Sequence, residues 1–126
     1  MKHKYFKDLK KVPYPYSEKD YPEIDERDTW NMDSYIIASL YGHLKKYKDA
    51  CKDFVNLEYH KFHVNGEELT QLQCIDKMID NLKFILDSSD NVPNSILDSK
   101  EQFEQENKRM RETFDILKEV FWAMWW

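Results

Sequence analysis

Apolar residues recur at spacings of three and four along three separate stretches of this chain, which confines each stretch to one face of an α-helix. Only two glycines occur in 126 residues. A turn-rich all-β fold needs residues that tolerate positive φ at its tight turns, so that scarcity argues against one. The fold class expected is therefore all-α: a three-helix, bundle-like single domain over residues 1–126.

The first helix is expected over residues 25–48, with Asp25 as cap and Glu26 and Asp28 in a first turn that favours negative charge. Trp30, Asp33, Ile37, Leu40, Tyr41, Leu44 and Tyr47 form its apolar stripe. Gly42 lies on the opposite side, where it either permits a close backbone approach or is tolerated at a cost of roughly 1 kcal/mol. The second helix, over residues 67–87, carries Leu69, Leu72, Ile75, Ile79, Leu82 and Leu86, widened by Met78 and Ile85. It is expected to form the centre of the core. The third, over residues 98–126, opens on a Ser99-x-x-Gln102 capping-box pattern. It aligns Phe103, Met110, Phe114, Leu117, Phe121 and Met124. Glu106 and Asn107 interrupt that seam, which suits a helix lying along a partner or another subunit.

Between these stretches the patterns change. Residues 1–24 hold Pro13, Pro15 and Pro22 with Tyr14, Tyr16 and Tyr21 among them. Proline biases itself and its predecessor toward extended backbone, so this segment reads as an N-terminal strap. Residues 57–64 fit neither period, leaving a short strand and an irregular loop both open. Asn65-Gly66 is a turn signal, and residues 88–94 break the helical pattern.

Charged residues make up 34% of the chain and apolar ones 41%, and the apolar positions are patterned rather than diluted, as in an ordered domain with a solvated surface. The net charge of −5, with both signs mixed, argues against a broad basic face for duplex nucleic acid. The one basic cluster is residues 1–12, with Lys2, Lys4, Lys7, Lys10 and Lys11. No apolar run approaches the ~20 residues that span a bilayer. Cys51 and Cys74 are too few for a disulfide framework, and the expected setting is a reducing cytoplasm.

Candidate chemistry is sparse. Asp33 falls inside the first apolar stripe, where a buried carboxylate needs a donor such as Lys83 or Arg109, or else faces a polar cavity and a ligand. His60 and His63 with Cys51 and Cys74 lack the paired spacing of a zinc site, and no orienting group supports a nucleophilic cysteine. Glu23, Glu26, Glu101 and Glu104 lie near helix starts, where capping and solvation account for them. No metal or other cofactor is expected. If a nucleotide binds, Tyr14, Tyr16, Tyr21 or Trp30 would stack on its base and Arg27 would meet its phosphate. The last six residues are apolar all round a helix. Either the N-terminal strap covers them, or Phe121, Trp122, Trp125 and Trp126 form an interface, in a homo-oligomer or against another protein.

Three ordered segments carry a resemblance: Asp28-Thr29-Trp30-Asn31-Met32-Asp33, Cys74-Ile75-Asp76-Lys77-Met78-Ile79, and Phe121-Trp122-Ala123-Met124-Trp125-Trp126. Together they resemble a family of small proteins of tailed bacteriophages with a D-x-W-N-x-D helix start and an aromatic-rich last helix. The resemblance implies a viral origin and expression in a bacterial host's cytoplasm, and it brings no activity to named residues. The expectation is a non-enzymatic binding protein that counters a host defence, by occluding a host protein or sequestering a nucleotide immune signal. A metal-dependent nucleotide hydrolase and a viral structural or replication accessory protein are the alternatives.

Overall fold

The structure is a computed structural model and describes residues 26–29, 31–88 and 96–124. By its internal packing the chain divides into two units, Met1–Met32 and Asp33–Trp126. Of the first unit the described part is chiefly a 3-10 turn, Glu26–Thr29, in which Thr29 Oγ1 donates to the Glu26 carbonyl at 2.6 Å. The strap expected over residues 1–24 lies outside the described residues.

The described chain is mostly helical, with three α-helices and one small hairpin. Helix α1 spans Met32–Cys51. Strands β1 (Lys61–Val64) and β2 (Glu67–Thr70) form an antiparallel pair. Helix α2 spans Gln71–Ser88, and helix α3 spans Ile96–Val120 before a 3-10 turn, Phe121–Ala123.

The hairpin follows from its turn. Asn65 and Gly66 both adopt positive φ, 50° and 79°, the backbone that a two-residue connection between twisted strands requires. The register sets Val64 opposite Glu67 and Phe62 opposite Leu69. One face thus carries Val64 and Leu69 inward, both buried. A two-stranded ribbon is marginal in water by itself, and this one gains its stability by burying that face in the core the helices share.

Where β2 becomes α2, Thr70 and Gln73 form a reciprocal cap. The Gln73 amide donates to Thr70 Oγ1 at 3.1 Å, and the Thr70 amide donates to Gln73 Oε1 at 2.8 Å. Helix α2 therefore starts at Gln71, and the expected start at residue 67 is wrong by the length of β2. The next amides find carbonyls in the preceding loop: Gln71 N donates to His60 O and Leu72 N to Leu57 O, at 3.1 and 2.9 Å. The first-turn donors that a helix leaves unpaired are met here by its own chain.

The core lies along α2, where Cys74, Ile75, Met78 and Leu82 are fully buried together with Ile116 and Val120 of α3. Polar groups line the α2–α3 seam as well. Asn81 and Thr113 are buried, and Asn81 both donates to Glu112 and accepts from Arg109, at 2.8 and 3.2 Å. Near the end of α2, Gln102 donates to the Ser88 carbonyl at 2.8 Å. Helix α3 already runs from Ile96, so Ser99 sits inside it and the expected capping box at residues 99–102 does not form.

Helix α3 also turns a different face inward than its apolar stripe suggests. Thr113, Ile116 and Val120 are buried, whereas Phe103, Phe114 and Phe121 remain 67%, 42% and 50% exposed. Only Leu117 and Met124 of the expected stripe pack against the core, with Met110 half-buried.

Candidate functional site

Asp33 does not occupy a buried position. Because α1 begins at Met32 rather than near residue 25, Asp33 falls in the first turn, exposed, and its Oδ1 accepts from the Ser34 amide at 2.8 Å. A carboxylate there is favoured by the helix dipole and needs no buried partner. It does line a part-polar cavity of about 310 Å³, with Ser34, Glu106 and Asn107. Neither expected donor meets it: Lys83 pairs with Asp87 at 2.9 Å, and Arg109 lies over the Phe84 ring at 4.6 Å. Tyr14, Tyr16, Tyr21, Trp30, Trp125, Trp126 and the Arg27 side chain lie outside the described residues.

His60, just before the hairpin, and His63, on β1, are exposed, and Cys51 and Cys74 are buried free thiols. Among the described residues no group of three or more His, Cys, Asp or Glu side chains is placed to hold a metal ion. Burial raises the pKa of Cys51, partly offset by the Tyr47 hydroxyl, and raises that of Cys74, partly offset by nearby Lys77. Both shifts move the thiols away from the reactive thiolate.

A larger concavity lies elsewhere: an open groove of about 1100 Å³ between the C-terminal half of α1, the turn after it and α2. The chain turns sharply there because the amides of Phe54 and Val55 both donate to the Cys51 carbonyl, at 2.9 and 2.8 Å. Asn56 then closes a second turn, its Oδ1 accepting from the Glu58 amide at 3.0 Å. These turns present Phe54, 55% exposed, beside Val55, Leu57, Leu72 and Ile79, so the groove has an apolar floor.

Its rim is charged and unequal. Three lysines, Lys45, Lys48 and Lys52, stand against five carboxylates: Asp49, Asp53, Glu58, Asp76 and Asp80. Each lysine is engaged. Lys48 meets Asp76 at 2.6 Å, Lys52 meets Asp49 at 3.0 Å, and the Lys45 ammonium lies 5.2 Å from the centre of the Tyr41 ring. Asp53, Glu58 and Asp80 form no ion pair among the described residues, leaving three anionic oxygen pairs above an apolar floor. Such a site suits an apolar side chain flanked by cationic ones. A phosphate would have to displace an existing pair and face uncompensated carboxylates.

Of the groove residues, Leu72 and Ile79 are helix-stripe positions in the sequence and Asp76 lies within a resemblance segment, and none of them is singled out there as a binding residue. A partial signal lies in the Lys45, Lys48, Lys52 spacing, with Asp49 among them and Asp53 just after, which places both signs at one helix end. Comparison with protein-family models, with curated proteins and with solved structures finds no match to this chain.

Proposed function

We propose that this chain is a phage-encoded binding protein that counters a host defence without catalysing a reaction, by occluding a host protein. The α1–α2 groove is the binding site, and its target is a segment carrying apolar residues beside arginine or lysine. The observation that carries this reading is the set of three carboxylates over the Phe54–Leu72–Ile79 floor that form no ion pair among the described residues, with every rim lysine already engaged. That imbalance favours the occlusion route over sequestration of a nucleotide, whose phosphates would be repelled. The viral origin and the host target rest on the three-segment resemblance.

The test pairs a charge reversal with a ligand panel. Host protein retained by the full chain should be released by raised salt and lost with Asp53→Lys plus Asp80→Lys, while nucleotides leave the melting temperature unchanged. A nucleotide-induced rise in melting temperature without product would establish sequestration instead. Magnesium-dependent nucleotide turnover would establish the hydrolase.

A further inference from the structure

One flank of α3, beside the face it buries, carries a pattern that is complementary to itself. Phe103, Asn107, Met110, Phe114, Leu117, Phe121 and Met124 follow the alternating three- and four-residue spacing of a heptad seam, continued past the helix end at Val120. Leu117 and Met124 lean on the chain's own core, but Phe103, Phe114, Phe121 and the 86% exposed Trp122 do not. Three exposed phenylalanines along one lane, ending in an aromatic pair whose rings meet edge to face at 4.9 Å, make an unusually apolar surface for a helix otherwise rich in charge.

If a second α3 lies antiparallel along this lane, one two-fold axis sets Phe103 against the copy's Phe121 and Met110 against its Phe114. Heptad geometry then brings Glu104 beside the copy's Lys118, and the symmetry repeats that pair on the other side. Both side chains are on the exposed flank, and Lys118 has only a distant neighbour, Asp115, at 4.0 Å. Arg111 meets its own copy at the axis, the one repulsive contact in this arrangement.

A second feature falls at the same place. Beside Phe103 the surface opens into a cavity of about 310 Å³, whose apolar wall is Ile37 of α1, Ile85 and Leu86 of α2, and Phe103 and Met110 of α3, and whose polar wall is Asp33, Ser34, Glu106 and Asn107. The two-fold that pairs the seam delivers the copy's Phe121–Trp122 end to the mouth of this cavity. Each chain thus offers an aromatic knob at one end of α3 and, near the other, a hole with one apolar and one polar wall, where a Trp side chain can bury its ring and keep a partner for its indole N–H; the arrangement is isologous and closes as a dimer.

We infer that this protein forms a two-fold dimer through antiparallel α3 helices, each inserting its Phe121–Trp122 end at the Phe103 cavity of the other. The inference does not depend on the α1–α2 groove or on what binds there.

Sedimentation equilibrium of the full chain across the micromolar range tests it. The wild type should fit a monomer–dimer equilibrium, and Trp122→Asp should be monomeric with an unchanged circular dichroism spectrum. Glu104→Lys should weaken the dimer about tenfold, because two pairs become repulsive at once, and adding Lys118→Glu should restore it. Arg111→Gln should tighten it by about threefold. A monomer at every concentration would overturn the proposal. So would an oligomer whose charge-reversed pair fails to recover, since no other register joins residues 104 and 118.

Discussion

The side-chain amide of Asn81 donates to the Glu112 carboxylate at 2.8 Å across the α2–α3 seam, and its carbonyl oxygen accepts from Arg109 at 3.2 Å. This buried amide therefore joins an acid and a base of one helix to the other. Among the described residues, every buried side-chain nitrogen and oxygen has a partner. A satisfied network of this kind specifies how two helices pair, and removing its centre leaves charged groups short of partners.

Asn81→Ala is accordingly expected to lower unfolding free energy by about 1–3 kcal/mol, measured by chemical denaturation. Because Asn81 lies away from the groove, binding through the α1–α2 site should persist in the folded variant. Unchanged stability would mean that water replaces the amide at no cost.

The two glycines should respond in opposite senses to the same change. An added Cβ at Gly42 would meet nothing within 4 Å, and the residue sits inside α1. Gly42→Ala should therefore stabilise by about 0.5–1 kcal/mol. At Gly66 space is equally open, but φ is +79° in the hairpin turn. There Gly66→Ala should cost about 1 kcal/mol through backbone strain. Thermal melts of the two variants check the pair together.

The thiols carry a pH dependence of definite sign. Burial raises the Cys51 and Cys74 pKa values, so the folded state holds both protons more tightly than the unfolded chain does. The resulting stability is complete below the unfolded thiol value, about 8.5, and is lost as pH climbs through the higher folded values. Denaturation midpoints should fall on the alkaline side of that value, and Cys51→Ala plus Cys74→Ala should flatten that part of the profile. Native protein should react slowly with a thiol reagent at neutral pH and fully after unfolding.

The Thr70–Gln73 cap makes a local claim about where α2 begins. Thr70→Ala should cost about 1 kcal/mol and fray the strand-to-helix junction, visible as faster amide exchange at Leu72 and Gln73. The cap also marks what the sequence disclosed and what it concealed. Apolar periodicity places Ile37 and Leu44, and Ile75 and Leu82, on the buried sides of their helices, and all four lie in the core. The same rule counted Leu69 into α2, although Thr70-x-x-Gln73 was legible as a start signal and Asn65-Gly66 as the turn of the strand pair before it.

Helix α3 failed the rule for another reason. Its phenylalanines are larger than Thr113, Ile116 and Val120, so they dominate any count of hydrophobicity, yet close approach to α2 selects the smaller residues. Asp33 misled in a related way: its spacing matched a stripe, but α1 starts only at Met32, which turns a core position into a helix-start position. The charges of the groove's rim are legible in the sequence but its concavity is not, because two consecutive turns build it, at Cys51–Val55 and Asn56–Glu58, and their hydrogen bonds have no periodic signature.

Selection from an unbiased library of short displayed peptides, using the full chain as bait, tests the central claim most directly. Recovered sequences should combine Leu, Phe or Trp with Arg or Lys, and Asp53→Lys plus Asp80→Lys should abolish their enrichment. Selection of acidic peptides, or of cationic ones that the double variant still retains, would contradict a groove that reads apolar and positive side chains together.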